Sequence, residues 1–109
     1  MTTKAAQLDS IFSALADPTR RQMIEQLGKR DHTIAELAGM FDMSLPAVSK
    51  HIKVLDNAKL LSRERSGKYV VCHYEPKPMK EALKWLNKQQ QFWNEGFDKL
   101  EKYLDANSK

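Results

Sequence analysis

The sequence predicts a mainly α-helical protein with one β-hairpin, and three patterns in its 109 residues indicate this class. Two short amphipathic helices are joined by a tight turn within residues 33–57. Two strand-like runs follow at once and flank a Gly-containing pair. One long helix with a heptad pattern comes last. A helix pair followed directly by a hairpin is typical of a winged helix-turn-helix, and we expect this one to dimerise through its terminal helices.

The first two helices are indicated by apolar residues at helical spacing and by the residues between the helices. The apolar face of the first helix, at residues 7–16, consists of Leu8, Ile11, Phe12 and Leu15. Asp17 is a good N-cap for the second helix, and Pro18 suits its first position. This second helix is expected to end near Gly28, and residues 29–32 read as a polar connector.

The next two helices carry the cap signals of a helix-turn-helix. Thr33 and Glu36 have the spacing of a capping box at the start of the first of them. Ser44 can cap the second, at residues 44–57, and Pro46 is tolerated only in its first turn. The buried stripe predicted for this second helix consists of Val48, Ile52 and Leu55. The opposite face carries Ser49, Lys50 and Lys53.

The predicted hairpin has strands at residues 60–65 and 68–74, which flank a turn at Ser66 and Gly67. Its tip is basic, because three cations surround the turn. These are Arg63, Arg65 and Lys68. A hairpin in this position, directly after a helix-turn-helix, is a wing.

The positive charge of the chain is unevenly distributed. The whole sequence has a net charge of +4 and an isoelectric point of about 9.2. Residues 44–69 carry six Lys and Arg against two Asp and Glu, whereas residues 1–43 carry five against six. The cations are therefore concentrated on the second helix of the pair and on the hairpin, as expected for a protein that binds nucleic acid.

The last helix, over residues 79–104, has apolar positions that alternate spacings of four and three, with one polar interruption. The positions of this seam are Met79, Leu83, Leu86, Gln90, Trp93, Phe97, Leu100 and Leu104. A helix of this length spans ~39 Å, more than so small a core needs, and its aromatic residues would form an exposed patch on a monomer. We therefore favour a homodimer over packing within one chain. The residues expected at the interface are Leu8, Phe12, Leu86, Trp93, Phe97 and Leu100.

Cations on one helix face beside a basic wing predict binding to double-stranded DNA, because a recognition helix enters the major groove with its N-terminal residues first. The residues of helix 44–57 that are expected near base edges are Leu45, Pro46, Ser49, Lys50 and His51, and Ser44 at the start of the helix is also expected to contact DNA. Phosphate contacts are expected from Lys53 and, within the wing segment 63–69, from Arg63, Arg65 and Lys68.

Other classes of function find little support in the sequence. The single cysteine, Cys72, excludes an internal disulfide and an all-cysteine zinc site. Cys72 and His73 are neighbours on a strand and point to opposite faces, so they do not readily share a metal ion. No nucleophile–base pairing, phosphate loop or carboxylate dyad is apparent, and we expect no enzyme, cofactor or metal site. No signal peptide and no apolar run of ~20 residues is visible, which predicts a cytoplasmic protein without a membrane partner.

Three motifs in the sequence resemble the ArsR/SmtB family of bacterial transcriptional repressors. They are Asp17-Pro-Thr-Arg-Arg, Ser44-Leu-Pro-Ala-Val-Ser-Lys-His-Ile-Lys-Val-Leu and Ser66-Gly-Lys-Tyr. The resemblance extends over residues 8–104 and implies a homodimer that binds a palindromic operator and represses nearby genes, often its own. We expect one domain, residues 1–109, with a winged-helix core at 8–75 and a dimerisation helix at 77–104.

The chain departs from many members of that family in two ways. Its third helix has no cysteine and its last helix has no histidine, so it resembles the branch that does not sense metals. Leu45 stands where many relatives have Gln, which reads adenine with two hydrogen bonds, whereas Leu offers only apolar contact. Two alternatives stay open: a winged-helix module that binds another protein, and a repressor gated by an unidentified metal or small-molecule effector.

Overall fold

The computed structural model describes residues 3–107 and contains, within them, five helices and a three-stranded antiparallel sheet. The elements are α1 (Lys4–Leu15), α2 (Pro18–Lys29), β1 (His32–Thr33), α3 (Ile34–Met40), α4 (Leu45–Asn57), β2 (Leu61–Ser66), β3 (Tyr69–Tyr74) and α5 (Pro76–Asn107). The expected class is confirmed: the chain is mainly helical, with a hairpin wing directly after the helix-turn-helix α3–α4.

The helix caps lie where the sequence predicts them. Asp17, Thr33 and Ser44 each accept a hydrogen bond from the backbone N–H three residues later, at 3.0, 3.0 and 3.3 Å. Each side chain thereby satisfies one of the N–H groups that a helix start leaves without a partner. The capping box at α3 is only half formed, because the carboxylate of Glu36 pairs with Arg30 at 3.1 Å.

The polar connector predicted at residues 29–32 is partly wrong. Helix α2 continues through Gly28 to Lys29, and His32 begins the short strand β1. This strand pairs with β3, so that His32 lies opposite Cys72, and the sheet order is β1-β3-β2. A strand of two residues is too short to show the alternation by which strands are recognised in a sequence.

The turn of the wing lies one residue later than predicted. Ser66 still belongs to β2 and pairs with Tyr69, so the loop consists of Gly67 and Lys68. Gly67 has φ +62°, and Lys68 is not among the residues with positive φ. Positive φ at the first loop residue alone is the signature of a type II′ turn, which requires glycine there. Lys68 therefore lies at the tip itself.

Helix α5 begins earlier than predicted. Pro76 and Pro78, which we expected to precede the helix, form its first turn, and the helix runs for 32 residues to Asn107. Proline is compatible with a first turn because the N–H that it lacks would have no partner within the helix. Within the described part of α5 only Pro78 and Ala82 are buried. The remainder extends away from the core, and the molecule is 73 Å long.

The core lies between α1–α4 and the inner face of the sheet. Its largest fully buried side chains are Ile11, Met23, Leu37, Val48, Ile52, Leu55, Leu60, Leu61 and Cys72. The stripe predicted for α4 is thus confirmed as core, and so is the burial of Cys72. No helix within residues 3–107 is long and apolar enough to span a membrane.

Candidate nucleic-acid interface

Helix α4 has one fully buried face and one exposed face. Its buried stripe anchors it to the core, whereas the side chains opposite are in solvent. We call these the exposed face of α4: Leu45, Pro46, Ser49, Lys50 and Lys53. Leu45 retains 54% of its accessible surface although it is apolar. The helix therefore presents an apolar N-terminal end followed by two lysines.

Helices α3 and α4 are each followed by a residue in the left-handed backbone region, and the chain changes direction there. After α3, Asp42 has φ +51°, and the N–H of Met43 donates to the carbonyl of Ala38 at 3.0 Å. After α4, Lys59 has φ +63°, and the N–H of Leu60 donates to the carbonyl of Leu55 at 3.0 Å. Both are the six-to-one bonds of a Schellman motif. The second motif directs the chain straight from α4 into the wing.

The three basic residues of the wing differ in their surroundings. The side chain of Arg65 is exposed and makes no hydrogen bond or ion pair with any residue from 3 to 107. Lys68 is also exposed, and its Nζ lies 5.4 Å from the centre of the Tyr69 ring. Arg63 instead donates from Nε (3.1 Å) and Nη2 (2.8 Å) to Oδ2 of Asp56. That contact joins the base of the wing to the last turn of α4.

A histidine bridge lies on the outer face of the sheet. His73 Nδ1 is 2.8 Å from Oδ2 of Asp31, and its Nε2 is 3.1 Å from Oε2 of Glu64. The hydrogen bond to Asp31 raises the pKa of His73, and the one to Glu64 adds to the effect. The neighbouring Cys72 points to the buried face of the sheet, and burial raises the pKa of its thiol to about 11. Within residues 3–107 no three His, Cys, Asp or Glu side chains come together in a way that could hold a metal ion.

His51, which we expected near base edges, lies at the side of α4 rather than on its exposed face. Its side chain is 21% exposed, and Nδ1 is 3.4 Å from Nη1 of Arg20 and 4.0 Å from Oδ2 of Asp17. The Arg20 N–H that donates to Asp17 holds the pKa of that carboxyl below its usual range, and the charge of the Arg20 guanidinium lowers it further. Arg20 was not among the site residues predicted from the sequence, although it lies in the motif Asp17-Pro-Thr-Arg-Arg.

The apolar seam of α5 is exposed in the single chain. Trp93 and Phe97 are each 60% exposed, with ring centres 6.0 Å apart, and Leu86 and Leu100 are also in solvent. The two expected interface residues of α1, Leu8 and Phe12, are half-buried against the core. Phe12 also meets Trp85 of α5 edge-on at 5.8 Å. The α1–α5 contact therefore begins a continuous apolar surface that extends along α5.

Comparison with known proteins gives a consistent result. Residues 17–63 match the family described as "Bacterial regulatory protein, arsR family". The transcriptional repressor SdpR of Bacillus subtilis is 28% identical over 79 residues, which are 72% of this chain and 88% of SdpR. YuzN of the same organism, an uncharacterized HTH-type transcriptional regulator, is 38% identical over 72% of this chain and 94% of its own. A crystal structure of an ArsR family transcriptional regulator superposes with a TM-score of 0.79 at 38% identity, over 86% of this chain and 97% of the other.

Proposed function

Because the chain belongs to the ArsR family of DNA-binding transcriptional regulators, we propose that it is a homodimeric repressor that binds a palindromic operator, with one α4 helix in each half-site. The observation that carries the proposal is the coincidence of an exposed cationic face on α4 with a basic wing that directly follows it. The similarity to SdpR, which is named a transcriptional repressor, supports repression as the outcome. Such a protein acts in the cytoplasm, where bacterial DNA lies.

The proposed contacts divide by chemistry. Leu45, Pro46, Ser49 and Lys50 approach base edges, with Leu45 in apolar contact with a thymine methyl. Lys53, Arg65 and Lys68 neutralise phosphates. Ser44 has a structural role as well, because its hydroxyl caps α4. Arg63 reaches a phosphate only by leaving or sharing its contact with Asp56, so its contribution is smaller than that of Arg65.

The proposed dimer uses the apolar surface of α1 and α5. Burial of a patch this large by a second copy removes apolar surface from water, and a two-fold axis also matches the symmetry of a palindrome. In this arrangement residues 8–75 form the DNA-reading core and residues 77–104 the dimerisation helix. The seam extends to Leu104 with Gln90 as its one polar position, which supports a helix–helix contact along much of α5.

The phosphate contacts are tested by the salt dependence of DNA affinity. Arg65→Ala and Lys68→Ala are each expected to weaken binding to all sequences alike, and to flatten the slope of log affinity against log salt by roughly one unit per lost contact. Lys88→Ala is the matched control, since Lys88 is an exposed lysine on α5. Affinity is measured by fluorescence anisotropy from low to high salt.

Two results would contradict this assignment. A changed base preference with an unchanged slope would mean that the wing reads sequence rather than phosphate. A slope near zero for the parent protein would favour the alternative of a protein-interaction module, because docking to a protein does not release the counterions that surround DNA.

A further inference from the structure

We propose that Arg20 is a positioning residue for DNA recognition: in the neutral ring of His51 it selects the tautomer that carries its proton on Nε2, so that His51 donates a hydrogen bond to DNA. This inference rests on the proposed function for its DNA partner. The relevant ligand chemistry is a hydrogen-bond acceptor at the edge of the groove, either N7 or O6 of guanine or a phosphate oxygen.

The first step is the position of the Arg20 guanidinium. Its Nε donates to the carbonyl of Ala14 at 2.6 Å, and its Nη2 donates to the carbonyl of Ser13 at 3.2 Å. Both carbonyls belong to the last turn of α1, whose final C=O groups have no partner within the helix. The guanidinium is planar and its donors are fixed in direction, so these two bonds also determine where Nη1 points. It points at His51.

The second step concerns which nitrogen of the neutral His51 ring carries the proton. Nη1 of Arg20 lies 3.4 Å from Nδ1 of His51, and a guanidinium is a donor only. In the neutral ring, a hydrogen bond from Arg20 uses the lone pair of Nδ1, which leaves the proton on Nε2. The carboxylate of Asp17 favours a proton on Nδ1, but its Oδ2 is 4.0 Å away, beyond hydrogen-bond distance. Asp17 is also engaged by the N–H of Arg20 at the start of α2.

The third step is the environment of Nε2. No residue from 3 to 107 forms a hydrogen bond with His51 Nε2. Among the described residues, only Nε2 of His32 is a buried side-chain nitrogen or oxygen without a hydrogen-bond partner. Nε2 of His51 also has no partner but is not buried in this way, so it is accessible to solvent. It lies on the helix turn that carries Lys50 and Lys53, so it is a free N–H donor beside the exposed face of α4.

Arg20 and its neighbour Arg21 provide a matched pair of variants. Arg21 also caps α1, because its Nη1 donates to the carbonyl of Leu15 at 2.8 Å, but it makes no contact with His51. Loss of Arg21 therefore reports the cost of a lost helix cap alone. Arg20→Met removes the cap and the donor to His51, whereas Arg21→Met removes only a cap.

The decisive measurement is the tautomer of His51 in the unmodified protein, read from long-range ¹H–¹⁵N NMR spectra of the imidazole rings without DNA. We expect a pyridine-type Nδ1 and a pyrrole-type Nε2 at a pH where the ring is neutral. Arg20→Met is expected to mix the two tautomers, and Arg21→Met to leave them unchanged. A proton on Nδ1 in the unmodified protein would overturn the inference, even if the protein binds DNA as proposed.

A second measurement connects the tautomer to recognition. His51→Gln keeps an N–H donor and should retain affinity for a selected operator within a few-fold, whereas His51→Leu should lose roughly tenfold per half-site. Operators with 7-deazaguanine identify a base acceptor, and operators with methylphosphonate linkages identify a phosphate acceptor. Equal affinity of the Gln, Leu and parent proteins would show that His51 donates to neither.

Discussion

Removal of one aromatic side chain from the α5 seam should dissociate the proposed dimer. Trp93 lies at the centre of the seam and is 60% exposed in the single chain. A tryptophan has up to ~250 Å² of surface to bury, so ~150 Å² of it is free to be covered by a partner. If the partner covers half of that area, its burial at ~25 cal/mol/Å² contributes ~2 kcal/mol per subunit to the free energy of dimerisation.

The effect counts twice in a symmetric dimer, so Trp93→Ala should cost ~4 kcal/mol, which raises the dimer dissociation constant about a thousandfold. Sedimentation equilibrium over a range of concentrations measures this directly. The matched control is Gln91→Ala, on the polar side of the same helix turn, which should leave the constant unchanged. The variant should stay folded, because Trp93 belongs to no buried cluster of the core.

The affinity of the Trp93→Ala variant for a full palindrome should fall toward its affinity for a half-site, because each chain would then bind alone. A dimer of unchanged stability would refute the reasoning. It would show that the exposed seam of α5 is not the contact between subunits, and that the terminal helix has another role.

Three further predictions concern single side chains. Leu45→Gln should change the preferred base at one symmetric pair of operator positions, with about 1–3 kcal/mol of discrimination between bases. If both proteins select identical sites from random DNA, Leu45 does not contact the bases. The pKa of His73 is raised, mainly by its hydrogen bond to Asp31, so its contribution to stability is expected to be complete below pH 6.5 and to be lost as pH rises through the folded-state pKa. His73→Gln should reduce the change with pH of the urea concentration at the unfolding midpoint. An unchanged pH profile in this variant would count against the bridge. The Cys72 thiol, with a pKa of about 11, should react with a thiol reagent at neutral pH only after unfolding, and rapid labelling of the native protein would contradict its burial.

Much of the fold follows from local chemistry that a sequence displays. Side chains that cap a helix act within three residues, so Asp17, Thr33 and Ser44 are recognisable without any tertiary information. The buried stripe of α4 follows from helical periodicity. In contrast, β1 exists because β3 provides its hydrogen bonds, and two residues carry no period of their own. The turn of the wing depended on strand register, which shifted it by one residue.

The environment of the site depends on contacts between distant parts of the chain. Arg20 and His51 are 31 residues apart, and no spacing rule joins them. The same holds for His73 and Asp31, which are 42 residues apart. The sequence identified Arg63 as a cation of the wing, but its pairing with Asp56 depends on how the chain turns after α4. Residue types and charge were thus predictable, whereas the partners of each side chain required the structure.

Dimeric DNA recognition by this chain is tested by selection of binding sites from random double-stranded DNA, followed by measurement of how many chains occupy the selected site. We expect an enriched palindrome whose half-sites are centred about 34–36 Å apart or a multiple of that distance. It should be occupied by two chains, with an affinity that falls steeply as salt rises. Failure to enrich any sequence, or occupancy by a single chain with no salt dependence, would contradict a dimeric repressor that reads DNA through α4.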